Sequence, residues 1–493
     1  MALFQLLVLK RTGFVFAFLI CLLPACTVGP NYHGTVQNLP AHYSASKKTT
    51  PSNDINQFWQ PSFKDPVLNS LIAQGLSGNN TDIEISYAKI RQARAELGIQ
   101  KAQYFPQINA AGKISRDRLS GNSEILVAFP PGVVPLNYTD YKFGFDASWE
   151  LDVFGHTRRS VEASTARFLA TVENQQLAVI SVAAEIANVY TQYRVYQQRI
   201  NIAKKTIASF TKTEKLVRLQ MQAGVATSAD LKRVESEVLS FQGELPFLYA
   251  ESKATLAALA VLVGEYPESL FKKLSRTAPV PAINTHNLTL GLPSELLIRR
   301  PDIRMAERNL AASTADIGVA VSNLFPRFQL IGNFGSDTTI PGAFFDSASK
   351  YWTLAPHMSL PIFTAGKIKN DIKAREAARD IALANYKNTV LKALADVESN
   401  LIRYHGERAR KRQVQASANK LHSALRLLRM EYEAGTTSLI NILDVERQLN
   451  QLNDKIVQSA GQETINLISL YKSLGGSWLK PCRDAGQVVL TQK

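Results

Sequence analysis

Residues Glu431–Gln448 read EYEAGTTSLINILDVERQ, and residues Gln220–Glu237 read QMQAGVATSADLKRVESE. Ala223-Gly224 falls opposite Ala434-Gly435, Asp230 opposite Asn441, and Val234-Glu235 opposite Val445-Glu446, all at an offset of 211. Each stretch sets a small-residue reversal between two long runs of helical period, with glycine where a helix ends in the left-handed conformation. A chain that makes one reversal twice, nearly half its length apart, is read first as a duplication.

The correspondence continues upstream. AELGIQKAQYFPQI at Ala95–Ile108 matches ADIGVAVSNLFPRF at Ala315–Phe328, with Phe105-Pro106 opposite Phe325-Pro326 at an offset of 220. At Leu151-Asp152-Val153-Phe154 against Leu360-Pro361-Ile362-Phe363 the offset is 209. The Pro/Gly-rich Ala128–Tyr138 of the first copy absorbs the difference, because insertions belong in loops. Each copy is expected to open with a helix that ends at its Phe-Pro, since proline disfavours helical geometry in the residue before it.

Beyond each Phe-Pro the hydrophobic period changes from 3.6 to 2. In the first copy Tyr141, Phe143, Phe145, Ala147, Trp149 and Leu151 alternate with Lys142, Asp146, Ser148 and Glu150. In the second, Trp352, Leu354, Met358, Leu360 and Ile362 line one side, against Thr353, His357 and Ser359. With the less regular Gln107–Arg116 and Arg327–Gly335, four strands are expected. Strands of about ten residues with one apolar and one polar face suit a transmembrane barrel; a half-buried soluble hairpin uses the same alternation. Four strands cannot close a barrel, and an open edge cannot sit in hydrocarbon, so a membrane-embedded chain would have to oligomerise.

After each hairpin comes a helix of unusual length. No proline occurs from Thr157 to Leu245 or from Ile362 to Lys480, and Val390, Leu394, Val397, Leu401, then Leu421, Leu425, Leu428, Tyr432 keep 4-3-4 spacing. Val445, Leu449, Leu452 and Ile456 repeat it on the return. A helix from Lys367 to Glu433 would be about 100 Å long, far beyond a bilayer of about 30 Å, so it belongs to a coiled-coil-like tube outside the membrane. After the N-terminal segment, no apolar run reads as a membrane-spanning helix.

LKRTGFVFAFLICLLPAC has the order of an export signal: Lys10 and Arg11, an apolar run, then a small residue before Cys26. Leu23-Pro24-Ala25-Cys26 resembles the bacterial lipoprotein box, which would put an acyl lipid on Cys26, with Thr27 favouring the outer membrane. An ordinary signal peptide with a coincidental cysteine is the alternative. Three cysteines and no Cys/His ligand spacing exclude a disulfide scaffold and a zinc site, and Cys482 reads as a lone structural thiol. The net charge of +15 is spread among acidic and amide residues, and the densest cluster, Glu407–Gln413, has no interleaved aromatics. It reads as a solvated helix face, and no nucleic-acid partner is expected.

These landmarks together resemble the TolC family of outer-membrane channel proteins, in the lipoprotein branch that serves efflux pumps of Gram-negative bacteria. They are CTVGPNY at Cys26, FWQPSFKDPVLNSLI at Phe58, GLPSELLIRRPDIRMAERNL at Gly291, NLFPRF at Asn323, YEAGTTSLINILDVERQL at Tyr432 and LYKSLGGSWLK at Leu470. The resemblance implies a mainly α, internally duplicated chain with a membrane β-barrel portion. Three chains would form a 12-stranded outer-membrane barrel continued by a 12-helix periplasmic tunnel. It also implies a homotrimer that is passive, with a periplasmic adaptor and an inner-membrane pump of the resistance-nodulation-division type as partners, outer-membrane lipid around it, and no cofactor beyond the acyl group.

The resemblance places the aperture just after the second turn, at Asn441 and Asp444, of which only Asp444 is acidic; Asp230 matches in the first copy. A ring of three Asp444 carboxylates would attract cations and repel one another; an exposed, neutral structural role is the alternative. The adaptor-docking tips fall at Gly224, Val225, Thr227, Gly435, Thr436 and Ser438, whose small side chains are equally what a tight reversal needs. Arg299–Asp302, RRPD, reads as a helix start.

The domain plan is a signal peptide (1–25), an N-terminal anchor and equatorial segment (26–80), a first repeat (81–263), an equatorial linker (264–294), a second repeat (295–475) and a tail (476–493). No nucleophile elbow, phosphate-cradling loop, metal spacing or His-acid pair supports an enzyme. Two alternatives to efflux remain: the same fold in a type I protein secretion system, and a periplasm-spanning lipoprotein without a pore.

Overall fold

The computed structural model describes residues 27–34, 39–44, 65–120, 130, 133, 135–282 and 292–476. The expected signal peptide, Cys26, Cys482 and the tail beyond 476 lie outside the described residues, as do residues 128, 129, 131, 132 and 134 of the Pro/Gly-rich loop.

Pro66–Gln74 (α1) precedes the first copy, which runs Thr81–Ala102 (α2), Gln107–Arg118 (β1), Asn137–Leu151 (β2), His156–Gln222 (α3) and Ser228–Val263 (α4). Pro267–Lys273 (α5) and the single turn Leu296–Arg299 (α6) connect to the second copy. That copy runs Pro301–Ser322 (α7), Arg327–Thr338 (β3), Lys350–Ser359 (β4), Lys367–Glu433 (α8) and Leu439–Ser473 (α9). The duplication holds element by element: α2 and α7 have 22 residues each, α3 and α8 have 67 each, and α4 and α9 have 36 and 35. Left-handed glycines bound these helices at one offset of 211: Gly155 and Gly366, Gly224 and Gly435, Gly264 and Gly475.

The chain divides into two compact units: Met1–Thr35 with Arg91–Ala170 and Glu307–Asn385, and Val36–Ile90 with Thr171–Ala306 and Tyr386–Lys493. In the first, the four strands form one antiparallel sheet in the order β1-β2-β3-β4. Register pairs Gly112 with Phe143, Phe145 with Phe334 and Phe334 with Trp352, so the apolar rows of all four strands share one face. That face is bare: Ile114 is 75% exposed, Trp352 76% and Leu354 64%. The other face carries Lys113, Asp140, Lys142, Asp146 and Asp337, with Lys142 and Asp337 paired at 3.2 Å. The sheet's outer edges, β1 and β4, have no partner strand among the described residues.

Two sequence expectations are corrected here. The opening helices stop three residues before the phenylalanine of each Phe-Pro, at Ala102 and Ser322. The intervening residues close tighter turns, with Phe105 N–H bonded to Ala102 and Phe325 N–H to Ser322, each at 3.1 Å; the helix tightens over its last turn before proline forbids it. The second return strand ends at Ser359, so Leu360 and Ile362 leave the apolar row, because Pro361 lacks the N–H that would extend the ladder.

In the second unit the main apolar core joins Leu68 and Ile72 of α1, Ile186 and Tyr190 of α3, Leu259 and Val263 of α4, Leu270 of α5, and Val390, Val397, Leu467 and Leu470 of α8 and α9. Complete burial of such side chains contributes about 1.5–3 kcal/mol each. Asp65 caps α1, accepting from Val67 N–H at 3.0 Å and Leu68 N–H at 3.1 Å, and also receives the Tyr190 hydroxyl at 2.8 Å. The segment ahead of the first copy is thereby tied to α3. The expected α8 seam is borne out at Val390, Val397, Leu401 and Leu425, all buried. On α9 the deepest positions near the turn are Ile442, Leu443 and Glu446, one residue out of phase with the expected Val445.

One helix, α4, is long and apolar enough by length and composition to cross a membrane, contrary to expectation. Its Leu256, Leu259, Ala260 and Val263 lie in the helical core, so that apolar run serves packing. Part of the basic cluster at Glu407–Gln413 also turns inward: Lys411 pairs with Glu463 at 2.8 Å, and Glu407 accepts from Ser459.

Candidate functional site

The two helical reversals are built alike. In the first, Gly224 adopts φ +75°, Gly224 N–H bonds to Met221 at 3.0 Å, and Val225 N–H reaches back to Gln220 at 2.8 Å. In the second, Gly435 adopts φ +74°, its N–H bonds to Tyr432 at 3.0 Å, and Thr436 N–H to Glu431 at 2.9 Å. This paired closure satisfies the last carbonyls of α3 and α8 and needs a residue without Cβ strain at the left-handed position. A Cβ at either glycine would meet open space, and Val225 is 77% exposed.

The return helices differ. Thr227 and Asp230 form a reciprocal capping box, Asp230 N–H donating to Thr227 at 3.2 Å and Thr227 N–H to the Asp230 carboxylate at 3.1 Å. The Thr227 hydroxyl adds a bond of 2.6 Å. These bonds hold the Asp230 carboxyl below the usual carboxylate range. In the second copy Asn441 replaces the acid, its amide donating to Thr437 at 3.0 Å, and Ser438 makes no side-chain cap bond.

Asp444 lies one turn further along α9. Its carboxylate accepts from Arg447 and Gln448, both at 2.7 Å, and the Arg447 bond foremost lowers its pKa. A carboxylate so lowered adds stabilisation that is fully present above the ordinary range and fades only as pH falls through the lowered pKa. Asp444 therefore stays charged at any near-neutral pH.

The two tips meet within their unit. Leu231, Val234 and Val238 of α4 share a core with Leu439 and Leu443 of α9, and the Tyr432 hydroxyl donates to Gln220 at 2.9 Å. Ion pairs fasten neighbouring helices: Arg218 with Glu235 at 3.0 Å, Arg199 with Asp454 at 2.6 Å, and Arg429 with the buried Glu446. No hydrogen bond or ion pair links Asp230 with Asp444 among the described residues.

A second arrangement, in the unit that holds the sheet, fixes the segment behind Cys26. Arg159 of α3, 3% exposed, donates to the carbonyls of Val28 at 3.1 Å and Gly29 at 3.2 Å, to Asn31 at 2.7 Å and to Glu162 at 2.8 Å. Val28 N–H returns a bond to Phe154 at 3.3 Å, and Tyr32 donates to Glu307 at 3.1 Å.

A search of protein families matches residues 72–265 and 292–476 to the outer membrane efflux protein family. The chain belongs to this family. This efflux-family chain is 29% identical over 474 residues to outer membrane protein OprJ of Pseudomonas aeruginosa, covering 94% of the chain and 96% of the relative. It is 27% identical over 471 residues to the probable outer membrane lipoprotein SilC of Salmonella typhimurium, covering 94% and 98%. Among solved structures, the outer-membrane channel OprN superimposes with a TM-score of 0.83 at 32% identity, covering 92% of this chain and all of that one. The expected fold is thus the observed one, and the efflux family is one of channel proteins.

Sequence reasoning passed over Arg159, which lies in no recognised motif; its only signal is a cation in the first helical turn after the left-handed Gly155, four residues on at the strand-to-helix junction. Arg159→Ala leaves two carbonyls and Asn31 without their donor, at a cost of about 2–4 kcal/mol. Limited proteolysis of the variant should then cut within residues 27–34, and the native chain should resist there.

Proposed function

We propose that this chain is the outer-membrane subunit of a tripartite efflux system. It forms a homotrimer that passively conducts drugs or other small toxic compounds, delivered through a periplasmic adaptor from an inner-membrane pump of the resistance-nodulation-division type. The observation that carries this is the four-stranded sheet with two free edges and a bare apolar face, joined in each copy to a 67-residue helix. Three such sheets close a barrel of twelve strands, and helices of about 100 Å reach far beyond a bilayer into the periplasm. Cys26 carries the acyl anchor; the bonds from Arg159 to residues 28, 29 and 31 support a fixed place for it.

The exposed turns at Gly224, Val225 and Thr227 and at Gly435, Thr436 and Ser438 receive the adaptor. Asp444 lines the periplasmic aperture with Asn441 beside it, while Asp230, engaged in its capping box, chiefly shapes the first tip. Purified trimer in planar bilayers should form a pore; a structural lipoprotein without one would give no conductance. In the same bilayers Asp444→Asn should change cation-over-anion selectivity several-fold, since a ring of like charges sets a potential of several kT. Unchanged selectivity and conductance remove Asp444 from the aperture.

A further inference from the structure

Resting on the membrane-spanning trimer above, we propose that the rim of the barrel binds a phosphorylated glycolipid of the outer leaflet through Arg116, Arg118 and Lys350. On β1, Ile108, Ala110, Gly112 and Ile114 occupy the lipid-facing row, and the period of 2 puts Arg116 and Arg118 on that same row at the loop end. On β4, Met358, Leu354 and Trp352 occupy the row that Lys350 ends. All three cations are exposed, and none of their side chains has a hydrogen bond or ion pair among the described residues.

Their surroundings on this face are polar and uncharged. Arg118 pairs with Asn137, Arg116 with Thr139, and Lys350 with Ser336. The acidic residues of the same region, Asp117, Asp140 and Asp337, occupy alternate positions and so face the other side. Cations without counter-charges among the described residues, at the end of an apolar lipid-facing row, suit anions supplied from outside the chain.

Depth identifies that partner. Arg116 and Arg118 lie eight and ten residues beyond Ile108, or roughly 27 and 34 Å along a strand rising about 3.4 Å per residue. At a tilt of about 40° this is roughly 21 and 26 Å along the membrane normal, the far margin of an apolar band about 25 Å tall. The strand ends opposite lead into the long helices, so the loop end faces the exterior leaflet, whose glycolipid carries phosphates. The sheet order leaves β1 and β4 as edges, and closing the barrel sets the Lys350 edge of one protomer beside the Arg116 and Arg118 edge of the next. Three clusters of three cations result, each with two guanidinium forks suited to bidentate phosphate binding.

The test is native mass spectrometry of detergent-purified trimer incubated with lipopolysaccharide or its dephosphorylated form. Wild type should retain up to three glycolipids, and the triple variant R116Q/R118Q/K350Q should retain on the order of tenfold less. Lys113→Gln, on the opposite face, should bind as wild type does. Dephosphorylated glycolipid should bind the wild type as weakly as intact glycolipid binds the triple variant. If the triple variant does not trimerise, R116Q and K350Q alone should each reduce retention about twofold or more. Equal retention by the cation variants, equal retention of dephosphorylated lipid, or an equal loss in Lys113→Gln overturns the proposal. Absence of any pore in planar bilayers would instead overturn the membrane-spanning reading beneath it.

Discussion

Leu354→Arg is expected to abolish the trimer in the outer membrane, whereas its neighbour Thr353→Arg should leave it assembled. Leu354 lies at the middle of β4 on the bare apolar row, paired with Gly332, and Thr353 faces the opposite side, paired with Asn333. An arginine on the lipid face of a barrel costs about 2–4 kcal/mol at the bilayer midplane, so three copies cost roughly 6–12 kcal/mol in a trimer. That is comparable to the whole stability of an ordinary domain. On the polar face the same side chain enters water beside Asn333 and the charged row of β2. Outer-membrane fractions run on a gel with and without heating measure this directly. Trimer bands from both variants, or from Leu354→Arg alone, would place the wrong face toward lipid.

The second large effect is expected at Arg300. Its side chain, in a residue 9% exposed, donates to Asp302 at 2.7 and 3.0 Å, to Asp396 at 3.2 Å and to the Ser473 carbonyl at 2.9 Å. One guanidinium thus joins the start of α7, the flank of α8 and the end of α9. Arg300→Met keeps the apolar stem of the side chain and leaves two neighbouring carboxylates and a carbonyl without the guanidinium donor. Breaking a buried pair costs about 3–5 kcal/mol, and because Asp396 is 54% exposed the loss belongs near the lower limit. The expected signs are a lower melting temperature of the detergent-solubilised protein and faster hydrogen exchange at residues 470–476. Arg300→Lys should recover part of the loss, since it restores the charge without the fork. No change in either measure would show that α9 is closed by its apolar contacts alone.

The duplication was legible because both tips need the same left-handed glycine and both hairpins the same Phe-Pro, constraints that survive divergence elsewhere. The strands were legible from period-2 rows such as Tyr141 to Leu151, and the long helix from its uninterrupted apolar spacing. The strand end at Ser359 was misjudged because Leu360 and Ile362 continue the alternation while Pro361 silently removes a ladder donor. The helix ends at Ala102 and Ser322 were misjudged because proline acts through the turn before it as well as on its immediate neighbour. Asp230 and Asn441 align in sequence, yet Asp230 closes a capping box whose counterpart in the second copy lacks the acid. Arg159 and Arg300 were not legible as anchors, for their importance depends on carbonyls and carboxylates brought to them from residues 28–31, 302, 396 and 473. Spacing along one helix carries no trace of such partners.

The central claim is that this protein is the exit of an efflux pathway, and accumulation of a fluorescent efflux dye tests it most directly. Cells lacking the protein should accumulate more dye than their parent, and re-expression should bring accumulation back down. Equal accumulation in all three strains, with the trimer present in the outer membrane on re-expression, would contradict efflux of such compounds and point to the same fold serving protein secretion.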